Sequence, residues 1–150
     1  MTLVACLAHI RRGFFKAKNS NLALSRHFLN ETRIIYDIEA YCDYKSIGDA
    51  ERAAIRKKHI RLILDAMGKW LLENRPTLIP DSPIGKAVTY AANHWELLYH
   101  YLEDGKLLPD NNGAERAIRP VTLYRKNSLF AGNENGAGRA ALFFSLLETC

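Results

Sequence analysis

A chain of 150 residues, 48% hydrophobic and carrying a formal charge of +5, has the length of one ordinary domain and enough apolar content for a core, and its positive balance favours a polyanionic partner. Cys6, Cys42 and Cys150 are odd in number and widely spaced, which argues against a disulfide framework and fits a reducing cytoplasm. No run reaches the roughly 18 uninterrupted apolar residues of a membrane span, and the first residues lack the charged-then-apolar order of a signal peptide, so a cytoplasmic protein with no membrane partner is expected.

The opening "TLVACLA" (residues 2–8) is apolar on both alternating faces; it fits a buried parallel strand as well as a helix start. "HIRRGFFKAKN" follows as a basic, amphipathic segment. In "NLALSRHFLNETRIIYDIEAY", Leu24, Phe28, Leu29, Ile35, Tyr36 and Ile38 fall mostly on one helical stripe. After the polar break "CDYKSIG", Asp49 is placed to cap a long helix whose charged front, "ERAAIRKKHIR", gives way to an apolar end, "LILDAMGKWLL". Pro76, Pro80 and Pro83 mark a connector, since each lacks a backbone donor and discourages helix at the residue before it. Ser82 then caps a new helix with Pro83 at its first position. Its stripe, Ile84, Val88, Ala91, Trp95, Leu98 and Leu102, steps by fours and threes and demands a partner; Gly105 stops it. A mixed segment, "VTLYRKNSLFAG", a glycine-rich loop, "GNENGAG", and an apolar helix, "RAALFFSLLETC", complete the chain.

The expected fold is therefore mainly α, with few or no strands. A parallel strand at residues 2–8 would need neighbours on both sides, and only "VTLY" and "SLFA" could pair with it. The last helix also runs to Cys150 without a stop signal. Both features lead to the expectation that the sequence is an excerpt of a larger protein.

"DNNGAERAIRP" (residues 110–120) is the unit with the most chemistry. Asn112 and Glu115 have capping-box spacing, worth about 1 kcal/mol to a helix start, and Glu115 with Arg119 adds about 0.3–0.5 kcal/mol as an i,i+4 pair. Capping leaves unexplained the triple Asp110-Asn111-Asn112 and the cations Arg116, Arg119, Arg125 and Lys126 close behind. A carboxylate in a first helical turn is favoured in its ionised form by the macrodipole. Ionised oxygen suits Mg²⁺, and guanidiniums suit phosphodiesters. The combination fits phosphoryl transfer.

These residues also carry a resemblance. "DNNGAERAIRP", then "RKNSLFAGNENGAG" and "AALFFSLLET", resembles the C-terminal catalytic region of insertion-sequence-66 family transposases. "ACLAHIRRGFF" resembles that family's Cys-aromatic-Ala-His segment, and "LIPDSPIGKAVTYAANHWELLYHYLEDG" matches its spacing, so the likeness spans nearly the whole chain. It implies a ribonuclease-H-like core in which two aspartates and a glutamate hold two Mg²⁺ ions, with Glu115 as the catalytic, metal-binding glutamate. It further implies that residues 1–19 end the core before an insertion, 20–108 form a helical insertion, and 109–150 return to the catalytic core. DNA, as transposon ends and target, would be the partner, with room for a homo-oligomer. Arg116, Arg119, Arg125, Lys126, Arg11 and Arg12 would lie near phosphates.

The chain departs from the family pattern at Leu7, where an aromatic is usual, at Gly13, where lysine is common, and at Ser128, where tryptophan is usual. The two aspartates of the triad belong upstream of "CLAH" and are missing here. One Glu115 cannot position two ions, so this piece alone is expected not to cut or join DNA. The alternative from a different class is a non-catalytic helical module that binds DNA or a protein partner. Cys6 and His9 could supply half a zinc site, but with no second pair a structural role is expected. His94 and His100 read as core-edge residues, His27 and His59 as solvated, and "GNENGAG" as a connection, not a phosphate cradle. Arg11, Arg12, Lys16 and Lys18 form one basic cluster and Arg52, Arg56, Lys57, Lys58 and Arg61 a second, and each is either a solvated face or a set of backbone contacts to DNA.

Overall fold

The computed structural model describes residues 5–110 together with 119, 138, 139 and 142, and among the described residues all regular structure is helical. The fold is mainly α, as expected. The candidate strands "VTLY" and "SLFA" lie outside the described residues, as do positions 2–4 of the opening run. The chain divides into two compact units between Asp110 and Asn111, and every element named below belongs to the first.

At its described end the opening run takes the helical alternative. Cys6 is extended and α1 begins at Leu7, running Leu7–Lys16. Leu7, Ile10, Phe14 and the following Ala17 are buried at helical steps, so the apolar period there is that of a helix.

Helix α2, Leu22–Tyr44, starts at Asn21, whose side chain accepts from the Leu24 amide at 3.0 Å. Its buried line is Ser25, Phe28, Thr32, Ile35, Glu39 and Cys42, alternating steps of three and four as in a coiled-coil seam. The apolar stripe read from sequence straddles this line: Phe28 and Ile35 lie on it, while Leu24, Leu29, Tyr36 and Ile38 flank it half-buried. Two of the larger polar side chains in the seam are answered, while the buried Ser25 hydroxyl has no hydrogen-bond partner among the described residues. The Thr32 hydroxyl donates back to the Phe28 and Leu29 carbonyls, and Glu39 meets a buried arginine.

Gly48, not Asp49, caps the next helix. Asp49 is its first residue, and with Glu51 it places acid in the first turn, where the macrodipole favours it. The helical run continues as α3 (Asp49–Ile55), a π turn (Arg56–Ile60) and α4 (Arg61–Asn74). Ile60, Leu64, Met67 and Leu71 point inward. Pro76 falls in a single 3-10 turn, Arg75–Thr77.

Helix α5, Pro83–His94, begins as expected: the Ser82 hydroxyl accepts from Gly85 N at 3.0 Å and Pro83 takes the first position. All six stripe residues from Ile84 to Leu102 are buried. The helix tightens into a 3-10 helix at Trp95–Leu102, and at three residues per turn Trp95, Leu98 and Tyr101 align. Tyr101 is consequently as buried as its neighbours. Gly105 then lies against α3, where a Cβ would stand 2.1 Å from the Asp49 carbonyl oxygen. Phe14 and Phe28 stack with centroids 3.7 Å apart, and Trp95 meets Phe28 edge-on at 6.0 Å, so α1, α2 and the 3-10 helix share one core. No helix among the described residues is long and apolar enough to cross a membrane.

Candidate functional site

Of the residues singled out from sequence, Glu115, Arg116, Arg125 and Lys126 lie outside the described residues, and so does most of the "GNENGAG" loop. Arg119 is helical and exposed. Arg11 and Arg12 are exposed on α1.

The described residues do include the threshold of the acidic unit. The Leu7 amide donates to the Pro109 carbonyl at 2.9 Å, so the start of α1 and the chain just before Asp110 are joined, although about a hundred residues lie between them. Tyr36 of α2 belongs to the same neighbourhood. Burial raises its hydroxyl well above the ordinary tyrosine range, Asp110 and Cys6 raise it further, and Arg11 opposes them. Tyr36 therefore stays a neutral phenol beside Asp110. Sequence reasoning placed Tyr36 in an apolar stripe and had no means of pairing it with residue 110, which is remote in the chain.

The second basic cluster is largely accounted for inside the fold. Arg56 is fully buried, donating through Nε to Glu39 Oε1 and through Nη2 to Glu39 Oε2, both at 2.8 Å. Its Nη1 donates to the Tyr101 carbonyl at 3.0 Å and the Asp104 carbonyl at 2.8 Å, and its guanidinium lies over the Tyr101 ring. Arg52 is hydrogen-bonded to Asp43 and lies 3.7 Å from Glu39. Lys57 pairs with Glu103 at 2.6 Å, and Arg61 lies 4.0 Å from Asp65. Arg56, and Arg52 with it, thus hold helices together instead of meeting phosphates. The missed signal was Glu39, an acid on the inner line of α2 that required an internal cation.

Tyr101 and Cys42 are neutral members of this interior. Burial is the first cause that raises each, Glu39 raises both further, and Arg56 opposes. The Tyr101 hydroxyl has no hydrogen-bond partner among the described residues.

Cys6 and His9 lie at the start of α1, and no group of three or more His, Cys, Asp or Glu able to hold a metal ion occurs among the described residues. His94 is half-buried, with Nδ1 2.8 Å from the Tyr90 carbonyl, whereas His100 is exposed. His27 is exposed beside Trp70, with centroids 4.8 Å apart, and His59 is exposed. A groove between α4 and the 3-10 helix is floored by Gly68 and Trp95 and edged by Asp65, Glu96 and Lys69. Tyr99 crosses it to donate to Asp65 at 2.7 Å.

Comparison with known proteins places these features in a lineage. The transposase IS66 family matches residues 1–139. The chain is similar to the uncharacterized protein y4hP of Sinorhizobium fredii, 31% identical over 163 residues that cover 100% of this chain and 29% of the relative. It is also similar to the uncharacterized protein y4qI of the same organism, 33% identical over 150 residues that cover 99% of this chain and 27% of the relative. It thus spans less than a third of the length of these curated relatives. No solved structure matches it. The family match takes in both the α1 segment and the "DNNGAERAIRP" unit, and the chain belongs to the IS66 family of transposases.

Proposed function

We propose that this chain supplies one metal-binding carboxylate, Glu115, and a helical unit to an enzyme that cuts DNA and joins its ends during transposition. The observation that carries the reading is the family match across residues 1–139, which contains Glu115 with Arg116 and Arg119 in their motif. The family is of the DDE class, which generally works with a divalent metal. Carboxylate oxygen is the donor Mg²⁺ prefers. When bound, the ion would polarise a phosphate and lower the pKa of an attacking hydroxyl. A two-ion site needs more acids than Glu115, so the chain by itself is proposed to be inactive and to act with carboxylates from elsewhere in a longer protein.

Other roles follow from charge. Arg116, Arg119, Arg125 and Lys126 would hold phosphates of the transposon end, as planar or point cations that remain charged. The contact between Leu7 and Pro109, which lie on either side of residues 20–108, supports the proposal that those residues are an insertion whose flanks return to one place. In a complete enzyme, Glu115→Gln is expected to abolish Mg²⁺-dependent strand transfer with little change in fold; full retained activity would refute the assignment. The second reading, a non-catalytic helical module that binds DNA or a partner, draws support from the continuous core of residues 7–102. It predicts that the Glu115→Gln change affects no activity at all.

A further inference from the structure

The chain's whole excess of positive charge sits in its first 30 residues. Arg11, Arg12, Lys16, Lys18 and Arg26 all precede Glu31, the first acid, and the other 16 Lys and Arg are balanced by 16 Asp and Glu. Folding sharpens the contrast. Arg33, Arg52, Arg56, Lys57, Lys69 and Lys86 each have a carboxylate within 3.8 Å. Among the described residues no ion pair involves Arg12, Lys16, Lys18 or Arg26.

The placement of these four is informative. Arg12 and Lys16 are exposed one turn apart on α1, and Arg26 is exposed near the start of α2. Lys18, in the turn between the helices, holds its Nζ 3.8 Å from the centroid of Phe15, a ring that is itself exposed. The apolar side of α1, Leu7, Ile10 and Phe14, is buried in the core. A basic helix that lies on a lipid surface must insert an apolar face, and α1 exposes a single large apolar side chain, Phe15, not a face. A phosphate backbone asks only for accessible, uncompensated cations.

We propose that the outer surface of α1 and the first turns of α2, through Arg12, Lys16, Lys18 and Arg26, is a sequence-independent docking surface for the backbone of duplex DNA. The choice of DNA among polyanions rests on the transposase reading above. The surface is carried by residues other than those of the Glu115 motif, so it binds without a metal ion and its loss leaves that motif intact.

The test is binding of the purified chain to a short duplex of arbitrary sequence in EDTA at stepped salt concentrations. The variant neutralises Arg12→Gln, Lys16→Gln, Lys18→Gln and Arg26→Gln together. A control neutralises Lys45→Gln, Lys58→Gln and Lys106→Gln, which are exposed elsewhere. Each phosphate neutralised contributes roughly 0.9 to the log–log salt slope, so the fourfold variant is expected to lose roughly 3 to 4 from the slope while the control keeps the parent value. Pairwise variants, Arg12→Gln with Lys16→Gln and Lys18→Gln with Arg26→Gln, should each lose about half of that, and they decide the matter if the fourfold variant folds poorly. No binding by the parent chain, an unchanged slope in the variants, an equal loss in the control, or binding to anionic vesicles in place of duplex would each overturn the proposal. The metal-ligand reading is tested separately, by Mg²⁺-dependent strand transfer, so its failure does not register in this binding measured in EDTA.

Discussion

Arg56, at the start of the π turn, and Glu39, on the inner line of α2, form a two-pronged ion pair with both contacts at 2.8 Å. The arginine's remaining donors reach the Tyr101 and Asp104 carbonyls, so one side chain ties α2, the π turn and the end of the 3-10 helix. Removing one member of such a pair strands a buried charge. Glu39→Ala is expected to cost about 3–5 kcal/mol, read as a drop in the urea midpoint; a cost below about 1 kcal/mol would mean that the pair behaves like a surface contact. Exposed Arg33→Ala, at an i,i+4 pair with Asp37, should cost no more than about 0.5 kcal/mol.

Two glycines should respond with opposite signs. Gly13 is inside α1, and a Cβ there would meet Ala87 at an ordinary 3.7 Å. Gly13→Ala is expected to stabilise the fold by about 0.8–1 kcal/mol through helix propensity. At Gly105 the added carbon would collide with the Asp49 backbone, and Gly105→Ala is expected to destabilise by about 1–3 kcal/mol. Thermal unfolding of both variants checks the pair, and the same sign for both would contradict the described packing.

Tyr101 carries a pH prediction. Its folded-state pKa lies above the ordinary 10.0, chiefly through burial and then through Glu39. A raised value means the folded state holds its proton more tightly than the unfolded chain, so this contribution is fully present below pH about 10 and is lost as pH climbs above it. Tyr36 and Tyr99 act in the same direction. Tyr101→Phe keeps the ring under Arg56, removes a buried hydroxyl that lacks a partner among the described residues, and should stabilise by about 1 kcal/mol at neutral pH. It should also reduce the alkaline loss. Urea midpoints at pH 8 and above pH 10 test both; destabilisation by Tyr101→Phe would show that the hydroxyl has a partner after all.

The helical architecture was legible because its periods are strong. The line from Ile84 to Leu102 and the Ser82 cap read directly from spacing. Tyr101 falls off a stripe of 3.6-residue period because the backbone there tightens to three residues per turn. The Asp49 side chain suits a cap, whereas the extended backbone at Gly48 puts Asp49 one residue inside the helix. For the Arg52–Arg61 run the sequence leaves a solvated face and a phosphate surface both open, because charge spacing alone does not disclose a buried acid seventeen residues away. Among the candidate site residues, Glu115 rests on motif and family, while the neck that joins Leu7 to Pro109 and sets Tyr36 beside Asp110 could come only from three dimensions.

Strand transfer by a complete protein containing this chain tests the central claim most directly. With Mg²⁺ and a transposon-end duplex, the parent should join DNA, and Glu115→Gln should bind the same duplex but form no joined product. Joined product at the parent's rate from Glu115→Gln would contradict the claim and leave the helical unit as a binding module.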